Sequence, residues 1–282
     1  MILVTGAAGK TGKALVQALA ARGAPTRAFV RRPEQISELH ACGATEVGVG
    51  DLRNGIDVER SCQQIDTIYL ICPNMQPDEV AIAERVITAA KRAGVGRLVY
   101  HSVLHPQTEA MPHHWQKLRV EELLFTAGLD YTILQPAAYM QNVLVGWSTI
   151  FNKGIYRIPY ATSTRLGMVD LHDIAEAAAE VLTTEGHSSA TYELATAEWL
   201  TQDAVAAILG EVIGRTVRVE EQEREQWVQQ ARNSALDDYA VATLRKMFIY
   251  YERYGFCGNA TLLTWLLSRP PTSFMDCMRR CI

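Results

Sequence analysis

Short apolar runs alternate with helical patterns over the first half of the chain. Ile2 to Val4 form a continuous apolar run, and Leu15, Ala18 and Leu19 follow at helical spacing. The same alternation predicts strands at 26–30, 46–49, 67–71, 97–101 and 131–134, with helices at 78–92 and 113–126. This repeated order predicts a Rossmann-like α/β fold with a doubly wound parallel sheet. Its ligand crevice is expected at the carboxyl ends of the strands.

Beyond Pro136 the alternation is less regular. Strands are predicted at 165–169 and 191–194, and helices at 173–182, 201–213 and 235–251. The charged run at 220–224 is interpreted as the solvated face of a helix. We therefore expect a Rossmann domain at 1–150 and a smaller, mostly helical lobe at 151–282. Segments near 165–195 are expected to return to the Rossmann sheet.

Composition restricts the classes of protein to consider. The 282 residues suffice for one large or two modest domains, and the 48% hydrophobic content suffices for a substantial core. A net charge of -4 gives no electrostatic reason to expect nucleic acid or an anionic membrane as partner. No apolar run reaches the roughly 18 residues of a membrane-spanning helix, and the opening strand leaves no room for a signal peptide. We expect a cytoplasmic monomer or homodimer.

Cysteine spacing agrees with that location. The six cysteines form no CxxC pair, which is typical of reduced thiols in the cytosol; they are Cys42, Cys62, Cys72, Cys257, Cys277 and Cys281.

The loop after the first strand reads TGAAGKTG and is compatible at first sight with two kinds of phosphate site. A nucleoside-triphosphate loop needs a glycine five positions before its GKT triplet, and Val4 stands there. A dinucleotide site needs glycines between a strand and a helix, which Gly6, Gly9 and Gly12 supply. These glycines allow a tight turn, a close approach to the pyrophosphate and close packing of the helix. The spacing favours a dinucleotide.

The end of the second strand favours NADP(H) over NAD(H). Arg31 and Arg32 stand where a site selective for NAD usually has an acidic residue, and guanidinium groups pair well with a 2′-phosphate. Lys10 is a further candidate for phosphate contact, or a solvated side chain. Asp51, after the third strand, is interpreted as an acceptor for the adenine amino group or as a helix cap.

Several stretches resemble the NmrA-like branch of the atypical short-chain dehydrogenases. They are TGAAGKTG, VRRPE, GDL, Pro73, LQPAAYMQN, VDLHDIAEAAAEVL and YGFCGNATLLTWLLSRPPTSF. The resemblance implies a family of NAD(P)H-dependent reductases of quinones, dyes and conjugated carbonyls, which also includes proteins that only sense the cofactor. Cofactor contacts are expected at Gly6, Ala8, Gly9, Lys10, Thr11, Gly12, Arg31, Arg32, Asp51, Leu52, Cys72, Pro73, Lys117, Pro136 and Tyr139.

The resemblance also implies positions for catalysis. Ser102 matches the superfamily's serine that binds the substrate carbonyl, and Lys117 matches the lysine that holds the nicotinamide ribose. His113 stands where the superfamily has its tyrosine acid. Histidine can donate a proton near neutral pH, but a polar residue that lines the cleft is an equal alternative. Cys72 is interpreted as a small buried residue rather than a reactive thiol.

The segment after Pro136 contains further candidates. Tyr139 is a candidate proton donor or substrate contact, and Asn142 and Trp115 are candidate substrate contacts. Trp147, Tyr156 and Tyr160 are interpreted as part of an aromatic pocket or as core. No metal site is expected. His113 and His114 are adjacent and point to different sides of a helix, and His101 and His105 have no cysteine or carboxylate partner at ligand spacing.

The resulting hypothesis is an NADPH-dependent reductase that transfers a hydride to a small quinone, enone, imine or other conjugated or aromatic substrate. The sequence leaves two alternatives open. One is a non-catalytic regulator that senses NADP(H), and the other is a redox-neutral isomerase on the same fold.

Overall fold

The computed structural model describes residues 1–234 and 236–282. Contacts between Cα atoms divide the chain into two compact units. The first unit contains Met1–Gln107, His114–Gln135 and Ile174–Tyr192. The second contains Thr108–His113, Pro136–Asp173 and Glu193–Ile282. The expected domain division at residue 150 stays a prediction.

The structure contains the following elements. Strands are β1 (Ile2–Val4), β2 (Thr26–Val30), β3 (Glu46–Val49), β4 (Thr67–Leu70), β5 (Arg97–His101), β6 (Asp130–Pro136), β7 (Ala138–Tyr139), β8 (Ile155–Ile158), β9 (Leu166–Val169), β10 (Ala190–Leu194), β11 (Trp199–Leu200) and β12 (Arg218–Glu221). Helices are α1 (Lys10–Ala21), α2 (Ile36–Ala41), α3 (Gly55–Ser61), α4 (Glu79–Ala93), α5 (Pro112–Thr126), α6 (Trp147–Lys153), α7 (Leu171–Thr183), α8 (Gln202–Ile213), α9 (Arg224–Arg232), α10 (Asp238–Tyr254), α11 (Thr261–Leu267) and α12 (Phe274–Cys281). Short 3₁₀ segments occupy Pro33–Gln35 and Met140–Gly146.

A seven-stranded sheet confirms the predicted α/β class. Its strand order is β10-β6-β5-β4-β1-β2-β3. β1 pairs in parallel with β2 on one side and with β4 on the other, so the strand order reverses between β1 and β4. In open sheets of this kind, ligands bind beyond the carboxyl ends of the strands at the reversal. The loops after β1 and β4 therefore mark the expected crevice.

The core of the first unit explains why these segments become strands. Ile68 and Leu70 on β4 and Leu98 on β5 are fully buried in one hydrophobic cluster. Strands buried on both faces form near-continuous apolar runs, which is the pattern of the sequence. Val120 and Leu124 of α5 join the same cluster. They pack this helix against the apolar core that contains β4 and β5.

The second unit contains smaller sheets, one of three strands in the order β11-β9-β7 and one of two strands, β12 and β8. The charged run at 220–224 was expected on a helix face, and this expectation is wrong. Glu220 and Glu221 lie in β12, which pairs in parallel with β8, and α9 begins only at Arg224. Pairing with a distant strand determines this segment, so local charge does not identify it. No helix among the described residues is long and apolar enough to cross a membrane.

Candidate cofactor and catalytic site

The glycine loop of the first unit has the geometry of an anion site. Gly6 follows β1 with φ of +58°, a conformation that side-chain-bearing residues rarely adopt. A Cβ on Gly12 would lie 2.5 Å from Ala7 Cα, so only glycine allows α1 to pack against this loop. Gly9 is the N-cap of α1 and offers no side chain to the first turn. The N–H groups at this helix end are therefore available to an anion.

Arg31 and Arg32 lie directly after β2 and are both exposed. Within 1–234 and 236–282, neither guanidinium forms an ion pair. Lys10 is exposed at the start of α1, whereas Lys13 pairs with Glu38. The carboxyl end of β2 thus carries two guanidinium charges that no ion pair from the described residues neutralises.

Asp51 and Leu52 follow β3 in the same unit. The Asp51 carboxylate accepts the backbone N–H of Arg53 at 2.9 Å, and Leu52 is buried. Asp51 does not cap α3, because Asn54 accepts N–H groups of that helix instead. A local turn therefore holds Asp51, and its predicted adenine contact stays a prediction.

Lys117 of α5 is part of a buried polar cluster. Its Nζ donates to Glu79 Oε1 at 2.7 Å and to the His101 carbonyl at 3.0 Å, and it lies 5.1 Å from the centre of the Tyr100 ring. The Tyr100 hydroxyl donates to the same Glu79 oxygen at 2.8 Å. Glu79 is fully buried and Lys117 is 6% exposed. The predicted ribose-binding lysine therefore forms a buried ion pair.

His101 ends β5 beside this cluster. Its Nδ1 is 2.7 Å from the Tyr69 hydroxyl. Burial, with a smaller effect from the Lys117 charge, lowers the pKa of His101 to about 3. His101 is therefore neutral at physiological pH. Burial likewise lowers the pKa of His114 to about 4.

Ser102 forms a second cluster just beyond β5. Its hydroxyl donates to Glu121 Oε1 on α5. Gln135 on β6 donates from Nε2 to both Glu121 oxygens, at 2.9 and 3.0 Å. The backbone N–H of Ser102 donates to Leu134 O at 2.8 Å, so the pairing of β5 with β6 places Ser102 beside Gln135.

Cys72 and Pro73 follow β4. Cys72 is buried, and burial together with the Glu79 charge raises the pKa of its thiol. A protonated thiol is a poor nucleophile, which agrees with its interpretation as a small buried residue.

Other predicted site residues belong to the second unit. His113 and Pro136 are buried there, Tyr139 is partly buried in β7 and Asn142 is exposed. Trp115 lies in the first unit and is partly buried.

Two of the three aromatic candidates for a pocket, Tyr156 and Tyr160, lie in the core of the second unit. Tyr156 and Tyr160 are buried, and the Tyr156 hydroxyl donates to Gln202 Oε1 at 3.0 Å. Trp147 is partly buried and packs against Phe151. No group of three or more potential ligand residues that could hold a metal ion occurs among the described residues.

Sequence reasoning missed four polar residues that hold the predicted ones, namely Glu79, Tyr100, Glu121 and Gln135. A signal existed for Glu121, because it stands four positions after Lys117 in a helix. That spacing usually indicates an ion pair. In the structure, Lys117 pairs with Glu79 and Glu121 binds Ser102 and Gln135. No sequence pattern indicated the role of Glu79, since a glutamate in the first turn of a helix usually stabilises the positive end of the helix dipole.

Comparison with known proteins identifies the family of this chain. The NmrA-like family matches residues 1–269. An NAD(P)H azoreductase from Xenophilus azovorans is 31% identical over 223 residues, which cover 77% of this chain and 76% of the relative. Quinone oxidoreductase 2 from Escherichia coli strain K12 is 26% identical over 278 residues, which cover 98% of this chain and 96% of that protein.

Two solved structures are similar over the whole chain. The NADPH complex of the Escherichia coli quinone oxidoreductase has a TM-score of 0.87 at 25% identity, covering 100% of this chain and 99% of the other. Triphenylmethane reductase from Citrobacter sp., complexed with NADP(H), has a TM-score of 0.86 at 25% identity with the same coverage.

Proposed function

Because this chain belongs to the NmrA-like family, we propose that it is an NADPH-dependent reductase that transfers a hydride to a small quinone, dye or other conjugated acceptor. The glycine cradle at the start of α1 is the observation that carries the proposal. Three proteins similar to this chain, an azoreductase, a quinone oxidoreductase and a triphenylmethane reductase, support the substrate class by their names. Location in the cytoplasm and the state of monomer or homodimer stay predictions.

The proposed cofactor contacts start from the glycine loop and the arginines of the first unit. A side chain at Gly12 would collide with the loop, and Gly9 leaves the first N–H groups of α1 without a capping side chain. These groups would hold the pyrophosphate, and Arg31 and Arg32 the 2′-phosphate. The other proposed contacts are Ala8, Lys10, Thr11, Asp51, Leu52, Cys72, Pro73, Lys117, Pro136 and Tyr139.

Bound NADPH supplies the hydride, and the chain supplies position and protons. We assign Ser102 to hydrogen bonding with the substrate oxygen. Lys117, whose charge is already paired with Glu79, supports the ribose and the end of β5. His113 and Tyr139 are proposed proton donors, and Trp115 and Asn142 are proposed substrate contacts.

Steady-state oxidation of NADPH with a panel of quinones, cationic dyes, enones and imines tests the function. We expect turnover on at least one class, with deuterium from labelled NADPH in the product. Tight NADPH binding without turnover on any class would contradict catalysis and favour a cofactor-sensing regulator. Label retained in the cofactor while the substrate is isomerised would favour a redox-neutral reaction.

Cofactor preference provides a separate prediction. We expect the double substitution Arg31→Ala with Arg32→Ala to lower the ratio of NADPH to NADH affinity by about tenfold or more. The reason is that a charge-assisted contact with a phosphate contributes about 1.5 to 3 kcal/mol. Titration of each cofactor by fluorescence measures the ratio. Arg119→Ala, an exposed arginine on α5, is the matched control. An unchanged ratio in the double variant would exclude these arginines from phosphate binding.

A further inference from the structure

The buried carboxylate of Glu121 has only neutral hydrogen-bond partners. It is 3% exposed and binds the Ser102 hydroxyl and the Gln135 amide. Within the described parts of the chain, no lysine, arginine or histidine forms an ion pair with it. A charge buried without a cation is costly, so such a carboxyl tends to keep its proton. The structure thus contains an acid directly behind the predicted substrate-binding serine.

From this geometry we propose that Glu121 is a positioning residue that supplies protons to Ser102 during reduction of substrates whose product needs a proton on oxygen. The inference rests on the proposed reductase function and adds a route for the proton. When Glu121 is ionised, it accepts the Ser102 proton and keeps that hydroxyl from donating elsewhere. When Glu121 is protonated, the hydrogen bond between Glu121 Oε1 and Ser102 Oγ reverses, and the carboxyl group donates to the serine. The Ser102 hydroxyl can then donate its own proton to a substrate.

The step balances for a quinone. Hydride addition reduces the quinone by two electrons and leaves a hydroquinone monoanion. Its oxygen takes the proton of Ser102 as the serine O–H bond breaks, and Ser102 takes the proton of Glu121. Ser102 is thereby restored, and the Glu121 carboxylate regains a proton from water. A cationic triphenylmethane dye needs no such proton, because hydride addition to its central carbon gives a neutral product directly.

The surroundings of Glu121 favour its protonated form more than water does. Burial raises the pKa of Glu121, although the hydrogen bonds from Ser102 and Gln135 and the Lys117 charge oppose the rise. Lys117, on the same helix, has its ammonium bonded to Glu79. Tyr100 on β5 is a further titratable group that interacts electrostatically with Glu121, and burial raises the pKa of its hydroxyl. The Lys117 ammonium is thus bonded to the Glu79 carboxylate and not to Glu121.

The experiment compares a benzoquinone with a cationic triphenylmethane dye, each with NADPH. We expect Glu121→Gln to lower the ratio of quinone to dye turnover by about 100-fold, since general acid catalysis contributes about 10²–10⁴ in rate. Glu122→Gln, the same change at the next and exposed position, is the control and keeps the ratio. Ser102→Ala with Glu121→Gln should lower the ratio no further than Ser102→Ala alone, because Glu121 acts through Ser102.

Two further readouts do not depend on that ratio. In the wild type, quinone turnover should fall as pH rises through the pKa of Glu121, and Glu121→Gln should remove this fall. In the cofactor-free protein, infrared spectra should contain a protonated-carboxyl C=O band that titrates above ordinary glutamates. Glu121→Gln should remove this band, and Glu122→Gln should keep it.

We call the proposed proton transfer from Glu121 through Ser102 to the substrate the relay. The outcomes of these experiments separate the relay from the reductase function. Wild-type protein that turns over no class of the panel overturns the proposed function and the relay together. Wild-type protein that turns over some class but no quinone overturns the relay alone. A working reductase whose quinone-to-dye ratio and quinone pH profile are unchanged by Glu121→Gln overturns the relay alone. An infrared spectrum that is the same in wild type and Glu121→Gln also overturns the relay, because Glu121 would then hold no proton to give.

Discussion

Lys117→Met lowers the free energy of unfolding by about 3–5 kcal/mol, because removal of one partner of a buried ion pair strands the other charge. Glu79 would keep its bond from Tyr100 but lose the Lys117 ammonium at 2.7 Å. The His101 carbonyl would lose a donor as well. Methionine keeps the length of the lysine stem, so the lost charge dominates over lost packing. Urea unfolding measures the effect, provided that the unfolding free energy of both proteins depends on urea concentration with the same slope.

Lys91→Met provides the matched control, since Lys91 is exposed near the end of α4. We expect it to change the unfolding free energy by no more than about 0.5 kcal/mol. Adding Glu79→Gln to Lys117→Met should recover a substantial part of the stability, because the stranded carboxylate is removed. A Lys117→Met protein as stable as the wild type would contradict the buried pair. This result matters for enzymology, since lost activity in Lys117 variants must be separated from lost fold.

Gly12→Ala is the second substitution with a large expected effect. The added Cβ would lie 2.5 Å from both Ala7 Cα and Gly6 O, which are backbone atoms that cannot rotate away. Overpacking of this kind costs about 1–3 kcal/mol. Displacement of the loop from α1 also moves the N–H groups proposed to bind the pyrophosphate. We therefore expect NADPH affinity to fall by about 5- to 150-fold if restoring the loop requires that same energy.

Calorimetry of NADPH binding and thermal unfolding of the cofactor-free protein separate these two effects. Gly55→Ala is the control, because a Cβ at the start of α3 meets no atom within 4 Å. It should leave affinity unchanged and leave stability equal or slightly higher, since alanine restricts the unfolded chain. Unchanged NADPH affinity in Gly12→Ala would contradict the proposed cradle.

The sequence was sufficient for the features that depend on local pattern. Apolar runs and helical spacing predicted the α/β class and most strand positions in the first unit, and the structure confirms the fold. The glycine spacing of TGAAGKTG excluded a triphosphate loop. The match over residues 1–269 confirms the family resemblance. These results follow from short-range sterics and from periodicities that strands and helices impose on a sequence.

Tertiary structure determined which polar side chains form hydrogen bonds and ion pairs with each other. Lys117 and Glu121 stand four positions apart in α5, yet each binds residues of other elements, Glu79 in one case and Ser102 and Gln135 in the other. Pairing with β8 likewise made a strand of Arg218–Glu221, which overlaps the charged run at 220–224 that was interpreted as a helix face. Side-chain partners and strand pairs far apart in sequence depend on how whole elements pack. The local pattern therefore predicted the fold and the cofactor loop, and packing alone determined the buried acid behind Ser102.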